Sequence, residues 1–364
     1  MAKRSTSPGV LHIVHWSSGG LAKIAQDLIL AKNGMRARLI VLRNNGGAID
    51  SRIHCDTVDC ASFFKRIRRL RKIIREFRPD VIHVHSFTPL CCAVLLAPRG
   101  THLVRTIHSP YPYFHSKDIR SRVKRTLERM LHGVRRATIV CVSTTVADSL
   151  PWHSGKPRVI ANGVDLEKIQ ALAREPIEEC NPLTKAITII SAGRLEPQKN
   201  FTLLIRAFAL AAHASTRPLR LRILGQGSQH NLLRELANGL HMTDQVEFLG
   251  HRPNPFPDLH NAHIYASTSL YEGLSLSLIE AMGIGLPVVA TRSSRIPNRL
   301  HHMRDLIVVD DNEPESFSKA LLQLIEEPGL RKTLAASALG TVRIHYSVTR
   351  MSSEYSDLYR SLLQ

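Results

Sequence analysis

"LYEGLSLSLIEAMGIGLPVVAT", residues Leu270 to Thr291, sets Glu272 and Glu280 eight positions apart in an otherwise apolar run, with Gly273 directly after the first. A carboxylate offers two acceptor oxygens to vicinal hydroxyls, so such a pair suits a ligand rich in hydroxyl groups. The preceding "HIYASTS" reads as a strand end, Glu272 and Gly273 as a turn, and "LSLSLIEAMG" as a helix closed by Gly283 or Gly285. Gly273 lets the backbone N–H groups of Leu274 and Ser275 approach a ligand, and a helix amino terminus favours a negative group such as a phosphate. A carboxylate beside a phosphate is repelled unless it faces hydroxyls, so one glutamate could hold a sugar and the other a ribose.

These side chains need a scaffold, and the pattern around them supplies one. Short β-branched runs alternate with longer amphipathic ones, as parallel strands with crossover helices do. "VLHIVHW", "ARLIVL", "DVIHVH", "THLVRTIH" and "ATIVCVS" read as strands of a first half, with helices at "FFKRIRRLRKIIREF" and around "RSRVKRTLERMLHGV". The alternation loosens through a polar stretch and restarts at "AITIISAGRLEPQKN", followed by "LRLRILGQG", "QVEFLG", "HIYAST", "LPVVAT" and "LIVVDD". The fold class is therefore α/β, with two Rossmann-like βα domains facing across a cleft. The expected division is 1–170, a linker at 171–185, a second domain at 186–345 and a carboxyl-terminal helix at 346–364. Open parallel sheets bind ligands at the carboxyl ends of their strands.

The chain has 364 residues and a formal net charge of +19, concentrated in one half. Residues 1–170 hold 29 Lys and Arg against 11 Asp and Glu, whereas the remainder holds 20 against 19. The first half is expected to meet something anionic, and charge alone does not choose among nucleic acid, an acidic lipid surface and an anionic substrate. No apolar run is long enough to cross a bilayer and no signal-peptide pattern follows "MAKRSTSPG", so a cytoplasmic chain is expected. The six cysteines show no zinc-type spacing and read as reduced thiols.

With these pieces assembled, "EGLSLSLIEAMGIGLPVVAT" resembles the E-x7-E signature of retaining glycosyltransferases of the GT-B architecture, specifically the family 4 group of bacterial nucleotide-sugar transferases. Other pieces fall in that family's order: Gly19 and Gly20 after the first strand, "PDVIHVHS", "TIHS", "CVS", "NGVD", "GRLEPQKN", "LGQG" and "EFLG". The resemblance covers nearly the whole chain.

The resemblance implies roles residue by residue. Glu272 would contact donor-sugar hydroxyls, with Gly273, Leu274 and Ser275 lending backbone amides near the sugar and diphosphate, and Glu280 would hold the ribose. Arg194 and Lys199 would neutralise the donor diphosphate, where charge develops as the glycosidic bond breaks. Gly193 and Gly225 fall with the donor-binding loops. His108 would reach the donor sugar across the cleft, and Gly19 and Gly20 would close over the donor phosphate or border the acceptor. The plainer readings are two solvated loop cations for Arg194 and Lys199, and surface carboxylates for Glu272 and Glu280. For His108 the plainer reading is a satisfied strand-end histidine, and for Gly19 and Gly20 a flexible turn. His83 and His85 are read as facing opposite sides of the sheet, structural or cleft-lining, and unable to chelate one metal together. With no Asp-x-Asp and a basic pair at hand, no metal and no cofactor beyond the nucleotide-sugar co-substrate is expected.

Uridine diphosphate sugars are the first expectation for the donor and guanosine diphosphate mannose the second. The sequence departs from the family after "VVAT", where "RSSRIPNRLHHMRD" replaces the usual glycine-rich turn and Pro-Glu, and this leaves donor identity open. The basic helices lead us to expect peripheral association with the inner face of an anionic membrane, and a glycan or lipid-linked acceptor. No nucleic-acid module is recognisable. The alternatives are a sugar-nucleotide 2-epimerase on the same frame and a binding protein that has lost catalysis.

Overall fold

The computed structural model describes residues 7–31, 34–59, 62–109, 119–150, 157–176 and 186–364. They form two compact units, Met1–Gly163 with Val348–Gln364, and Val164–Ser347.

The first unit runs β1 (Gly9–Trp16), α1 (Gly20–Leu30), β2 (Arg36–Arg43), β3 (Cys55–Thr57), α2 (Phe63–Phe77), β4 (Val81–Val84), α3 (Phe87–Leu96) and β5 (His102–Ile107). It continues with α4 (Ile119–Arg135), β6 (Thr138–Cys141), α5 (Thr144–Asp148) and β7 (Arg158–Val159), and the carboxyl-terminal helix Val348–Leu363 returns to it. The seven strands are parallel in the order β3-β2-β1-β4-β5-β6-β7. Both faces are covered, which explains why residues 10–14 of β1, 39–42 of β2 and 81–84 of β4 are buried without a break and, apart from His12 and His83, apolar. Leu11, Ile13, Ile40, Ile82 and Leu90 share one core cluster, each such side chain stabilising the fold by about 1.5–3 kcal/mol.

The second unit runs α6 (Leu166–Leu172), β8 (Ile187–Ala192), α7 (Phe201–Ala214), β9 (Leu219–Leu224), α8 (His230–Gly239), β10 (Val246–Gly250) and α9 (Phe256–His260). Then come β11 (Ile264–Ser267), α10 (Leu276–Ile284), β12 (Val288–Thr291), β13 (Ile307–Val309), α11 (Pro314–Glu326) and α12 (Pro328–His345). Its parallel order is β10-β9-β8-β11-β12-β13. Each sheet thus reverses its winding once, between β1 and β4 in the first unit and between β8 and β11 in the second. Loops leaving two neighbouring strands in opposite directions open a crevice at such a point.

Several motifs have local structural duties. Ser143 of "CVS" caps α5 by accepting from Val146 N–H at 3.2 Å, and Asp165 of "NGVD" caps α6 by accepting from Lys168 N–H at 3.0 Å. Gly285 ends α10 in the left-handed conformation at φ 95°. Gly283 does a different job, since a β-carbon there would lie 2.8 Å from Leu166 and 2.9 Å from Ile169. That close approach seats α6 against α10, so the division between units falls at Gly163 and Val164. The sequence-based linker at 171–185 begins inside this packed helix, and its residues 177–185 lie outside the described residues.

Candidate active site

In the second unit, the loops after β8, β9 and β11 meet at the winding reversal. Gly225, at φ 137°, packs so tightly that a β-carbon on it would sit 1.8 Å from the Gly193 carbonyl oxygen. Only glycine fits, and this draws the β9 loop onto the β8 loop. Gly193 leaves room in turn for the Lys199 side chain, whose Cε would lie 2.9 Å from a β-carbon there. A 3-10 turn at Pro197–Lys199 ends on Asn200 in the left-handed region, and Thr268 ties it to β11 by donating to the Lys199 and Asn200 carbonyls, both at 3.0 Å.

The result is an ion pair spanning two loops. Lys199 Nζ donates to Glu272 Oε1 at 2.6 Å, with the side chains 19% and 13% exposed. Ser269 Oγ donates to the same oxygen at 3.0 Å. Gln198 holds the Glu272 loop from the other side, its Nε2 donating to the Tyr271 carbonyl at 2.9 Å and its own carbonyl accepting from Leu270 N–H at 2.8 Å. Arg194 stands exposed directly after Gly193. Nearby, Glu196 accepts from Ser228 N–H and Oγ, and these bonds, with the Arg194 charge, hold its carboxyl below the ordinary range.

Gly273, Leu274 and Ser275 are buried and lead straight into α10, whose first turn has no side-chain cap from Ser275. Tyr265 on β11 fixes the helix, its hydroxyl donating to Ser277 Oγ at 2.9 Å. Burial pushes the Tyr265 phenol up, against the hydrogen bonds to Ser277 and the Ala192 carbonyl, and the charges of Glu272 and Glu280 add a smaller upward push. Glu280 is half-buried on α10. Thus Gly193, Arg194, Lys199, Gly225, Glu272, Gly273, Leu274, Ser275 and Glu280 all belong to the loops and helix that follow the carboxyl ends of β8, β9 and β11.

The divergent stretch after β12 is held by hydroxyl groups. Ser293 Oγ donates to the Ser269 carbonyl at 2.9 Å and to Asn312 Oδ1 at 2.8 Å, and Ser294 Oγ lies 3.0 Å from Thr291 Oγ1. Arg295 then takes φ 56°, turning the chain without glycine. The two serines therefore clamp the β12 end to the Glu272 loop. Sequence reading missed Ser269, Gln198 and Tyr265, whose only signal is position beside the charged residues.

Gly19, Gly20 and His108 belong to the first unit. Gly19, at φ 89°, precedes α1 and lets the chain turn from β1 into the helix. His108 follows β5 and joins a chain of imidazoles. His12 Nδ1 lies 3.4 Å from His85 Nε2, and His85 Nδ1 lies 3.2 Å from His108 Nε2. His83 is hydrogen-bonded on both ring nitrogens, to the Tyr359 hydroxyl and to Thr106 Oγ1, each at 2.7 Å, and Thr106 Oγ1 also meets the Tyr355 hydroxyl at 2.8 Å.

This corrects the reading of His83 and His85. Residues two apart on a strand share a face, and their rings lie 4.1 Å apart. His12 joins them because β1 and β4 pair His12 with His83. One ring nitrogen from each of His12, His83 and His85 falls within 4.8 Å of the others, but both His83 nitrogens already serve the network above. Burial lowers the His12 and His108 pKa values to about 3 and those of His83 and His85 well below the usual imidazole value. The four rings are neutral hydrogen-bonding groups at neutral pH.

Two families match the chain in tandem. Glycosyltransferase Family 4 matches residues 18–168 and Glycosyl transferases group 1 matches residues 174–339. The lipopolysaccharide core biosynthesis glycosyltransferase LpsD of Rhizobium meliloti is 24% identical over 364 residues, covering 96% of this chain and 97% of that protein. An uncharacterized glycosyltransferase of Methanocaldococcus jannaschii is 28% identical over 251 residues, covering 65% of this chain and 61% of that protein. Among solved structures, Anabaena HepE in complex with UDP and glucose superposes with a TM-score of 0.82 at 17% identity, covering 97% of this chain and 99% of that one. This last likeness shows the fold, and the tandem matches join it to the sequence: the chain belongs to the GT-B glycosyltransferases of the family 4 type.

Proposed function

We propose that this glycosyltransferase moves a sugar, with retention of anomeric configuration, from a nucleoside diphosphate sugar to a glycan or lipid-linked acceptor of surface polysaccharide or glycolipid synthesis. The observation that carries the reading is the Lys199–Glu272 pair at 2.6 Å, set between the Gly193 loop and the start of α10. Together they offer what a sugar diphosphate needs, a cation for the phosphates and a carboxylate for the hydroxyls. Both bonds to Glu272 fall on Oε1, so the second oxygen is the one a sugar hydroxyl addresses. Arg194 adds the second cation, and the N–H groups from Gly273 to Ser275 extend the positive end of α10 toward the phosphates. Glu280 takes the ribose hydroxyls. His108 is assigned to the donor sugar as a neutral hydrogen-bonding group, and Gly19 and Gly20 to a loop of the first unit near the donor phosphate or acceptor.

In the reaction the anomeric carbon's bond to the leaving phosphate oxygen breaks and a bond to the acceptor oxygen forms on the same face. The departing phosphate oxygen takes the acceptor's proton. Lys199 and Arg194 stabilise the charge gathering on the diphosphate, a contribution on the order of 3 kcal/mol per well-placed donor. These two cations fill the role a divalent ion plays elsewhere, and we infer metal-independent transfer. UDP-sugars are the preferred donors and GDP-mannose the second choice, a preference supported by the UDP complexes of HepE. The acceptor assignment is supported by the lipopolysaccharide core role in the name of LpsD and by the basic first unit.

Calorimetric titration with UDP, GDP and their sugars, in the presence of a chelator, tests the donor. Binding of one base that Lys199→Met weakens at least tenfold is expected, and no binding of either overturns the reading. Proton NMR of the fresh product reads the anomer, and an inverted product refutes retention.

A further inference from the structure

Five apolar residues on α4, Ile119, Val123, Leu127, Met130 and Val134, are exposed, at 42–76% of their surface. At 100° per residue they fall within about 80° of arc and run about 22 Å along the helix. The inward face of α4 is otherwise occupied. Glu128 is buried against Arg105 at 3.3 Å, His132 is buried, and Arg135 donates to the Val94 and Ala97 carbonyls at the end of α3. The stripe therefore points away from the packed side, which core packing does not explain.

Its surroundings favour one kind of partner. Glu128 is the only acid in α4 and it faces inward, while Arg122 and Arg129 are exposed. On the other side of α3, α2 exposes Phe63 and Phe64, the latter at 82%. Lys65, Arg68, Arg69 and Lys72 follow at helical spacing beside a groove of about 480 Å³. A basic helix with an apolar stripe binds flat in the interface of an anionic bilayer, its side chains at the acyl boundary and its cations among headgroups. Among the described residues no helix is long and apolar enough to cross a membrane.

We propose that α4, supported by the amino-terminal end of α2, inserts its apolar stripe into the interface of an anionic phospholipid membrane. The proposal deepens the proposed function and rests on it for a lipid-borne acceptor.

The test is co-flotation of the full chain with phosphatidylglycerol and with phosphatidylcholine vesicles, without nucleotide. The parent is compared with Val123→Ser/Met130→Ser/Val134→Ser, whose sites are exposed. Binding to phosphatidylglycerol reduced more than about tenfold in the variant supports the proposal. A Met130→Trp variant reports separately, with a blue-shifted emission on the same vesicles expected. Equal binding by parent and triple variant, or an unshifted tryptophan, overturns insertion. A parent that ignores vesicles but forms a dimer that the variant dissolves assigns the stripe to a second copy instead and also overturns it. Nucleotide titration without vesicles tests the donor site independently, so the two readings fail separately.

Discussion

Lys199 and Glu272 neutralise one another across 2.6 Å, although 73 positions separate them in the chain. Each is mostly shielded from water, so each is the other's counter-ion; in the proposed reaction a ligand would supply phosphate for the lysine and hydroxyls for the glutamate. Lys199→Ala should lower kcat/KM by about 10²–10³-fold, and Glu272→Gln by a similar factor. Because the two act as one unit, the double variant should fall well short of the product of the two losses. Steady-state kinetics on the four proteins checks this, and transfer within twofold of the parent in either single variant refutes the site.

Gly225→Ala should destabilise the second unit by about 2–4 kcal/mol, because the added carbon meets the Gly193 carbonyl oxygen at 1.8 Å where the backbone cannot yield cheaply. Denaturant unfolding measures it. Nucleotide affinity should fall with it, since the same clash moves Gly193 and the Lys199 loop.

The buried imidazoles make the fold acid-sensitive. An unfolded histidine protonates near 6.5, whereas His12 and His108 stay neutral in the fold down to about 3. Between those values the unfolded chain binds protons the folded chain does not, so stability must drop as pH falls through that window, by up to about 1.4 kcal/mol per pH unit for each ring. Urea midpoints at descending pH should decline from near 6.5 onward, with a shallower slope in His12→Asn. A flat profile to pH 4.5 would mean the rings are not held neutral.

Tyr359→Phe removes the hydroxyl beside His83 Nδ1 and leaves a buried ring nitrogen without its partner. A loss of about 1–3 kcal/mol is expected. Nucleotide titration should be unchanged, because Tyr359 meets His83, His12 and Tyr355 and none of the residues assigned to the donor, and an equal loss of nucleotide affinity would count against this separation of roles.

Much of this was legible in the chain. β-Branched runs separated by amphipathic ones announce a parallel α/β fold because a strand covered on both faces is mostly apolar, as β1 and β4 are apart from their histidines. Glu272 and Gly273 sit where a strand ends and a helix starts, and this local grammar placed them on the loop and Glu280 on the helix that follows. α3 escaped the reading because "FTPLCCAVLL" is apolar on nearly every side and shows no helical period. The α4 stripe was visible as spacing, but spacing does not say which side of a helix the core occupies.

What the sequence determined by itself is the order of elements, the winding they allow and the charged residues that end up near strand termini, all consequences of interactions within a few residues. Only the tertiary structure decided that Ser269 and Lys199 share one oxygen of Glu272, that Gly225 presses on Gly193, and that His12 and His83 stand side by side on β1 and β4. Those facts depend on strand order and register. These are settled by burial of the whole sheet between its helices, an energy summed over contacts that no local stretch contains.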